Sequence, residues 1–464
     1  MSIHQLFSLT RRSFQTIQAA INTAGQNVAN ANTEGYARRR VTLEAVNLRD
    51  VGIHMALPPR SATGLGVSVA TYERLRDHLL DVALWNSQAS LGAADEESRI
   101  FQVLESLLAS NDKTGLPALL NEFWNRWADL ADHPMDTGVR EALYGQAQTL
   151  VDTFHRLARD LETLQGQTLT ALQENVDKVN TLFKALAELN VAIREARLRG
   201  NPDLVAEDRR DTLVKQLAEH LPIQVQAQED GTYHLIVSGM AVVQGDQVLP
   251  LTLSLSGSVP SLTFGTTGIP FRAPQGQDGK IGAQMRLLTQ TLPEVRQDLD
   301  TLAATLVSSV NTLHTAGYGL DGLTGRPFFD PAATTAATIA LSTDVQADRR
   351  AIAASGDPTA PGDNSTARQI AALRDALLLA GGSETTETFA LNLAGRIGSA
   401  ARDANDRLTR NRAVVDHLDA LQQGVMGVSL DEELANLIRF QQAYAATARV
   451  LDTARQMMDT LLSL

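Results

Sequence analysis

Apolar residues recur every seven positions after residue 429, near the carboxyl end of the chain. One row holds Leu430, Leu437, Tyr444, Leu451 and Met458, and a second holds Leu434, Gln441, Ala448, Arg455 and Leu462. A further stripe, containing Phe440 and Val450, widens the apolar face. This pattern predicts one amphipathic helix with two buried sides, which needs a partner helix in the same chain or in another.

The start of this helix carries a capping signal. Ser429 precedes Glu432 by three positions, and this spacing predicts a capping box in which each side chain binds an unpaired amide of the first turn. The neighbouring acids Asp431 and Glu433 place negative charge at the positive end of the helix dipole.

The amino-terminal segment has the same seven-residue period. Its main row is Phe7, Phe14, Ile21 and Val28, and its companion row is Ile3, Thr10, Ile17 and Ala24. We therefore predict that the two terminal helices pair, which brings the chain ends together and places the middle of the chain outside them. The alternative is two unrelated surface helices.

An asparagine-rich segment, residues 27–38, follows the first helix. Asn30, Asn32 and Gly35 tolerate a positive φ, and they predict the end of the helix and a turn before Tyr36. Residues 41–71 alternate weakly and contain Pro58 and Pro59, which favours extended chain or short β-strands.

The middle of the chain has the three-four apolar spacing of helices. We predict helices over residues 72–110, 116–131, 138–199, 283–316, 367–380 and 384–423. Residues 138–199 lack proline, and their spacing slips once at Thr168 and Leu172, which predicts a long rod with a locally unwound coiled coil. Trp124 and Trp127 predict a core anchor rather than a stacking platform.

Residues 222–272 change to alternating segments with frequent glycine. Asp230-Gly231 between two such segments predicts a β-hairpin. Residues 338–342 are a further possible strand. The fold class is therefore mainly α with a small β domain. We expect an axial terminal-helix domain (1–65 plus 424–464), a helical rod domain (66–221 plus 283–423) and an inserted β domain at the tip (222–282).

Composition excludes several functional classes. The 464 residues include no cysteine and carry a net charge of −13. Disulfides and cysteine-ligated zinc are thus excluded, and general binding to nucleic acid or acidic lipid is disfavoured. No long apolar run predicts a membrane span, and the first residues lack a cleavable signal pattern.

The sequence contains no His-Glu-x-x-His, no Gly-x-Ser-x-Gly and no pair of metal-spaced cysteines, so it predicts no catalytic, metal or cofactor site. The acidic and basic run 207–211 is predicted to be a solvated helix start with local ion pairs, in preference to a catalytic cluster. Arg38-Arg39-Arg40 is predicted to be a solvated patch. Residues 318–325 favour a glycine-rich turn over a calcium loop, and residues 276–280 fail as a phosphate loop.

Both terminal segments resemble bacterial flagellar axial proteins. The run from Leu430 through Tyr444 to Leu462 is similar to the hook-associated protein 1 family, and residues 27–38 resemble the segment after the first helix of axial proteins. Residues 204–213 and 279–283 resemble internal segments of the same family. The chain departs from relatives at Ser13-Phe14, where a Gly-Leu pair is frequent, and has a shorter second half.

The resemblance implies a structural subunit at the hook–filament junction, exported by the flagellar type III pathway. Its implied partners are further copies of itself, the hook protein, the second junction protein and an export chaperone, with no nucleic acid, membrane or cofactor. The expected assembly interface comprises Phe7, Phe14, Ile21, Val28, Asn30, Asn32, Gly35, Tyr36, Leu430, Leu434, Leu437, Phe440, Tyr444, Leu451, Met458 and Leu462. Three alternatives are another axial protein, a soluble coiled-coil tether or chaperone, and an enzyme in the β domain.

Overall fold

The computed structural model describes residues 3–46, 66–108, 115–257, 259–272 and 275–462. The part of the predicted extended stretch that contains Pro58 and Pro59 lies outside these residues.

The helices run in chain order from one terminus to the other. They are α1 (Ile3–Ala29), α2 (His78–Leu108), α3 (Leu116–Asp132), α4 (Thr137–Leu198), α5 (Leu204–His220), α6 (Gly279–Arg286), α7 (Leu292–His314), α8 (Thr343–Ala347), α9 (Ser365–Ala371), α10 (Thr386–Met426) and α11 (Leu430–Leu462). The first and last helices pack against each other, as their matching periods predict.

The strands form three separate antiparallel sheets among the described residues. They are β1 (Arg39–Ala45), β2 (Val67–Arg74), β3 (Ile223–Ala227), β4 (Tyr233–Val237), β5 (Met240–Gln244), β6 (Gln247–Val248), β7 (Leu251–Ser256) and β8 (Val259–Phe264). The sheet orders are β1-β2, β3-β4-β5-β6 and β7-β8. The hairpin predicted at Asp230-Gly231 joins β3 to β4, and Gly231 supplies the positive φ of 85° that the turn requires.

The long rod is one unbroken helix, α4, of 62 residues. At about 1.5 Å per residue it extends about 90 Å. Asp136 caps its start by accepting from the amides of Gly138 and Val139. Thr168, at the predicted slip, is buried and donates to the carbonyl of Leu164, so the helix continues through the slip.

The returning helix differs from its prediction. A π-helical turn, Leu287–Thr291, separates α6 from α7 and ends two residues before Pro293, which lies in the first turn of α7. Proline has no amide hydrogen, so a regular helix could not continue its hydrogen bonds through this point. The wider π turn accommodates the interruption without ending the helical path.

Three other boundaries were predicted wrongly. The helix expected from residue 72 begins at His78, because residues 67–74 pair with β1 as a strand. Residues 338–342 form only a single bridge, between Phe329 and Leu341. The helix expected over 367–380 begins at Ser365, and after Ala371 it tightens into a short 3-10 turn.

The core of the helical body lies between α2, α3, α4, α7 and α10. Phe123, Trp124 and Trp127 are each buried within it, and Trp127 lies 5.1 Å from Phe328 between ring centroids. The core-anchor prediction is confirmed for both tryptophans. None of the described helices is long and apolar enough to cross a membrane.

His314 predicts a loss of stability in acid. Its Nδ1–H donates to the carbonyl of Arg326, and its Nε2 accepts from the amide of Ala353 at 2.9 Å, so the buried ring is neutral. Burial lowers the pKa of His314 from 6.5 to about 4. As the pH falls from 6.5 to 4, His314 is therefore protonated in the unfolded chain and stays neutral in the native chain. The stabilisation is complete above pH 6.5 and is lost through this window.

The expected loss reaches about 3 kcal/mol when the window has been crossed. Urea unfolding at about pH 7 and about pH 5, a pH inside the window, would measure about 2 kcal/mol of this loss, with His314→Gln as the matched variant. The variant should have a lower free energy of unfolding near neutral pH and a shallower acid dependence. An identical acid slope in both proteins would refute the assignment.

Candidate assembly surface

The terminal helices meet through aromatic and small side chains. The rings of Phe14 and Tyr444 approach edge to face, with centroids 4.8 Å apart. Leu451 lines a groove together with Phe7 and Phe14. These contacts place part of the predicted assembly set inside the chain's own helix pair.

The seven-residue row of α11 does not stay on one side of the helix. A straight helix drifts about 20° per heptad from a seven-residue repeat, so Leu430 and Leu451, three heptads apart, point about 60° apart. Leu451 faces α1, whereas Leu430, Leu434 and Ile438 are 50%, 51% and 57% exposed. We call Leu430, Leu434 and Ile438 the outer flank of α11.

The remaining predicted residues of α11 include both half-buried and exposed side chains. Leu437 and Phe440 are half-buried, and Met458 and Leu462 are exposed. Neither of the two seven-residue rows includes Ile438, although its spacing of four from Leu434 indicates the same face of the helix.

In α1 the main predicted row is only partly covered. Phe7, Phe14, Ile21 and Val28 are half-buried, while Thr10, Ala20 and Ala24 are buried. The opposite side of α1 meets the β1-β2 hairpin, where Thr16 donates to the carbonyl of Val67 at 3.1 Å.

The asparagine-rich segment folds around Asn27, a residue absent from the predicted set. The Asn27 amide donates to the Arg39 carbonyl at 2.9 Å, and its oxygen accepts from the Arg39 amide and the Tyr36 hydroxyl. Asn30 donates to the carbonyl of Gln26, and Asn32 is exposed. Asn27 thus ties the end of α1 to the first strand.

Gly35 marks where this segment touches the body. Its φ is +77°, and a Cβ there would lie 2.4 Å from the Thr212 hydroxyl of α5. Only glycine satisfies both the backbone conformation and this close approach.

The three successive arginines after the turn, Arg38 to Arg40, pair with acids in three different elements. Arg38 pairs with Glu432 at 2.7 Å and with the buried carboxylate of Glu433 at 2.6 Å, both in the first turn of α11. Arg39 reaches Asp208 in α5, and Arg40 pairs with Glu73 within the hairpin. The prediction of a solvated patch is therefore right for Arg40 and wrong for Arg38 and Arg39.

The predicted capping box is half formed. The Ser429 hydroxyl accepts from the Glu432 amide at 3.4 Å. The Glu432 side chain instead binds Arg38, so the tertiary ion pair replaces the reciprocal local bond.

The acidic run in α5 is buried, contrary to the prediction of a solvated helix start. Arg74 contacts Glu207 at 2.9 Å, Asp208 at 3.0 Å and Asp211 at 2.7 Å. Arg76 pairs with both Asp211 and Asp81. The strand and the following loop supply the arginines, so no local sequence pattern pairs them with α5.

These partners act on the carboxyl pKa values in different directions. Burial would raise the pKa of Asp211, but the adjacent Arg76, Arg210 and Arg74 outweigh it, and the pKa is lowered. Burial raises the pKa of Asp208, although Arg74 and Arg39 partly offset it. The cluster is therefore held as ion pairs chiefly through Asp211.

The β1-β2 hairpin has one apolar face. Val41 opposes Tyr72, Leu43 opposes Val69, and Ala45 opposes Val67. Directly opposite residues share a face of the sheet. Leu43, Val67 and Tyr72 are exposed, so this face adds apolar surface beside the helix pair.

No group of His, Asp or Glu within the described residues is arranged to hold a metal ion. A cleft of about 920 Å³ lies between the asparagine-rich segment, α5 and the end of α10, and Trp85, Lys215 and Gln423 contribute to its lining. Lys215 in this cleft is paired with Asp419 at 2.8 Å.

Paired terminal helices on a helical body, taken together with two family matches, place this chain among the structural proteins of the bacterial flagellum. Residues 101–329 match the flagellar hook-associated protein FlgK helical domain, and residues 422–464 match the flagellar basal body rod FlgEFG protein C-terminal family. The family models, the similar curated proteins and a solved structure all support the flagellar hook-associated protein FlgK family for this chain. It is a structural protein of the hook–filament junction, in a family that is not enzymatic in general.

The similar proteins extend over nearly the whole chain. Flagellar hook-associated protein 1 of Bacillus subtilis is 27% identical over 489 residues, covering 98% of this chain and 96% of its own. Its counterpart from Escherichia coli is 25% identical, with 96% and 97% covered. The solved structure of the flagellar hook junction protein FlgK from Burkholderia pseudomallei has a TM-score of 0.66 at 14% identity, covering 75% of this chain and 100% of that one, and supports the fold.

Proposed function

We propose that the outer flank of α11 docks each subunit onto its neighbours at the distal end of the hook. The observation that carries this proposal is the split face of α11. One side packs on α1, while Leu430, Leu434 and Ile438 remain half exposed on the other. Burying this apolar flank between copies would contribute about 25 cal/mol per Å².

The proposed contact is heterologous, since the outer flank of one copy meets a different surface of the next. Contacts of this kind generate rings or helical layers instead of closed dimers. The rest of the expected assembly set, including Asn30, Asn32, Gly35 and Tyr36, would then shape the base of the helix pair.

We propose three further partners, which the resemblance to the family implies: the hook protein, the second junction protein and an export chaperone. The hook protein would lie on one side of the layer and the second junction protein on the other, after delivery by an export chaperone. The absence of cysteine suits unfolded export through the flagellar type III pathway. We propose no enzymatic activity, nucleic acid partner or membrane contact.

The proposed domains follow the sequence boundaries with one adjustment. The axial domain comprises residues 1–74 and 424–464, the helical rod domain 75–221 and 283–423, and the β domain 222–282. Since β2 pairs with β1, we assign residues 67–74 to the axial domain.

Charge on the outer flank should prevent incorporation. We expect Leu434→Asp and Ile438→Asp to weaken hook binding by roughly tenfold to a hundredfold, since a carboxylate would be buried at an apolar contact. Co-sedimentation with purified hooks would measure binding, and complementation of a strain lacking the wild-type protein would measure filament assembly.

Arg439→Gln is the matched control, because it makes the same one-unit change in charge at an exposed position of the same helix, about 100° around the helix from Ile438. It should bind hooks as wild type does. Normal binding and normal filaments with both flank variants would rule out the outer flank as the docking surface. A soluble dimer that never binds hooks would favour the coiled-coil tether.

A further inference from the structure

Buried ion pairs are prominent where the terminal elements attach to the body. We call α1, the β1-β2 hairpin and α11 the axial module. The large hydrophobic core includes no residue of this module among those the structure describes. The large core therefore does not extend into the module.

Buried ion pairs connect the axial module to the body. We call Arg39, Arg74 and Arg76, together with Asp81, Glu207, Asp208 and Asp211, the arginine joint. Arg39 and Arg74 belong to the hairpin, and the three acids of α5 belong to the body. Side-chain exposure at the joint is low, 10% for Arg74 and 3% for Asp211.

We propose that the arginine joint is a positioning element that sets the angle between the axial module and the helical body, and that incorporation at the junction requires this angle. The inference rests on the proposed docking function, because it supplies the orientation in which the outer flank meets a neighbour. Arg39 and Arg74 are the positioning residues.

The geometry suits this role better than apolar contact would. A guanidinium group presents its donors in a rigid planar fork, so its contacts fix direction as well as distance. Arg74 uses this fork to bind three acids of one helix at once, with Nε on Glu207 and Nη1 on Asp208 and Asp211. Arg39 adds a second contact to Asp208 from the opposite strand at 3.3 Å.

The joint also explains the run at residues 207–211. Arg210 pairs with Asp211 at 3.1 Å, lies over the ring of Tyr233 and donates to the Gly231 carbonyl. Arg210 thereby connects the same carboxylate to the β domain. Asp211 is thus paired with Arg74 of the hairpin and with Arg210 of the body, and Arg210 contacts the β domain. The run at residues 207–211 therefore connects all three parts of the fold.

The orientation can be measured directly, because the chain contains no cysteine. Spin labels on Gln18→Cys in α1 and Lys184→Cys in α4, both exposed positions, report the distance between module and body. In the full chain we expect a narrow distance distribution. Arg39→Ala and Arg74→Met should broaden it, while Arg40→Ala, which removes only the exposed pair with Glu73, should leave it narrow.

Incorporation is then measured in the same variants. We expect Arg39→Ala to reduce hook co-sedimentation at least tenfold with an unchanged circular dichroism spectrum, and Arg40→Ala to have no effect. Arg39→Lys, which keeps the charge but not the fork, should recover only part of the binding.

Two results would overturn the positioning role. One is a distribution that stays narrow in both Arg39→Ala and Arg74→Met. The other is a broad distribution with undiminished incorporation. Failure of the docking proposal has a different signature, since Leu434→Asp and Ile438→Asp would then bind hooks normally while their spin-label distance stays narrow.

Discussion

A chain that ends at Gly427 is expected to lose saturable co-sedimentation with purified hooks. The truncation removes α11 with its outer flank and also uncovers the side of α1 that holds Phe14. The body should nevertheless fold, because no described residue of α11 belongs to the hydrophobic core. Binding should fall to the level of a protein that does not associate with hooks.

The melting curve of the truncated chain is the control for this result. Its main transition should match that of the full chain, because α2 to α10 keep their contacts. If the truncated chain pelleted with hooks at the same stoichiometry as the full chain, the helical body would be the docking element. If neither chain pelleted, the hook partner itself would be contradicted.

Replacing Trp127 by Ala is expected to cost about 3–5 kcal/mol of unfolding free energy. The side chain is fully buried between Phe123, His314 and Phe328. The cavity would lie where α3 meets the segment after α7, so this packing cannot close without moving the backbone. Urea unfolding followed by circular dichroism would measure the loss.

Two phenylalanine variants separate ring volume from hydrogen bonding. Trp127 Nε1 has no hydrogen-bond partner among the described residues, so Trp127→Phe should cost less than about 1.5 kcal/mol. Trp124 Nε1 donates to the buried Thr386 hydroxyl at 3.2 Å, and Trp124→Phe leaves that hydroxyl without its donor, at a cost of about 1–3 kcal/mol. A Trp127→Ala protein within about 1 kcal/mol of wild type would contradict the core role.

The helices were largely predictable from local sequence, because apolar spacing and capping act within a few residues. Residues 138–199 lack proline and keep a three-four spacing, and α4 spans Thr137–Leu198. Errors occurred where a distant strand or a proline altered the backbone. Residues 67–74 became a strand by pairing with β1, and Pro293 follows the π turn.

The candidate surface was only partly predictable. The seven-residue rows identified α1 and α11 as partners, but a repeat in the sequence does not state which residues face the partner. The drift of a straight helix turns Leu451 toward α1 and leaves Leu430 exposed. Ile438 belongs to the same flank, although the heptad rows passed over it.

The sequence by itself determined the mainly helical class, the pairing of the terminal helices, the small β insertion and the resemblance to flagellar axial proteins. These properties follow from periodicity, turn residues and local segments, which are readable along the chain. Tertiary structure alone decided where the charged residues go. Arg39 and Asp208 are 169 positions apart, and their contact at 3.3 Å exists only because β1 and α5 meet in the folded protein. Charge pairing over such a separation leaves no local pattern, so the arginine joint became visible only in three dimensions.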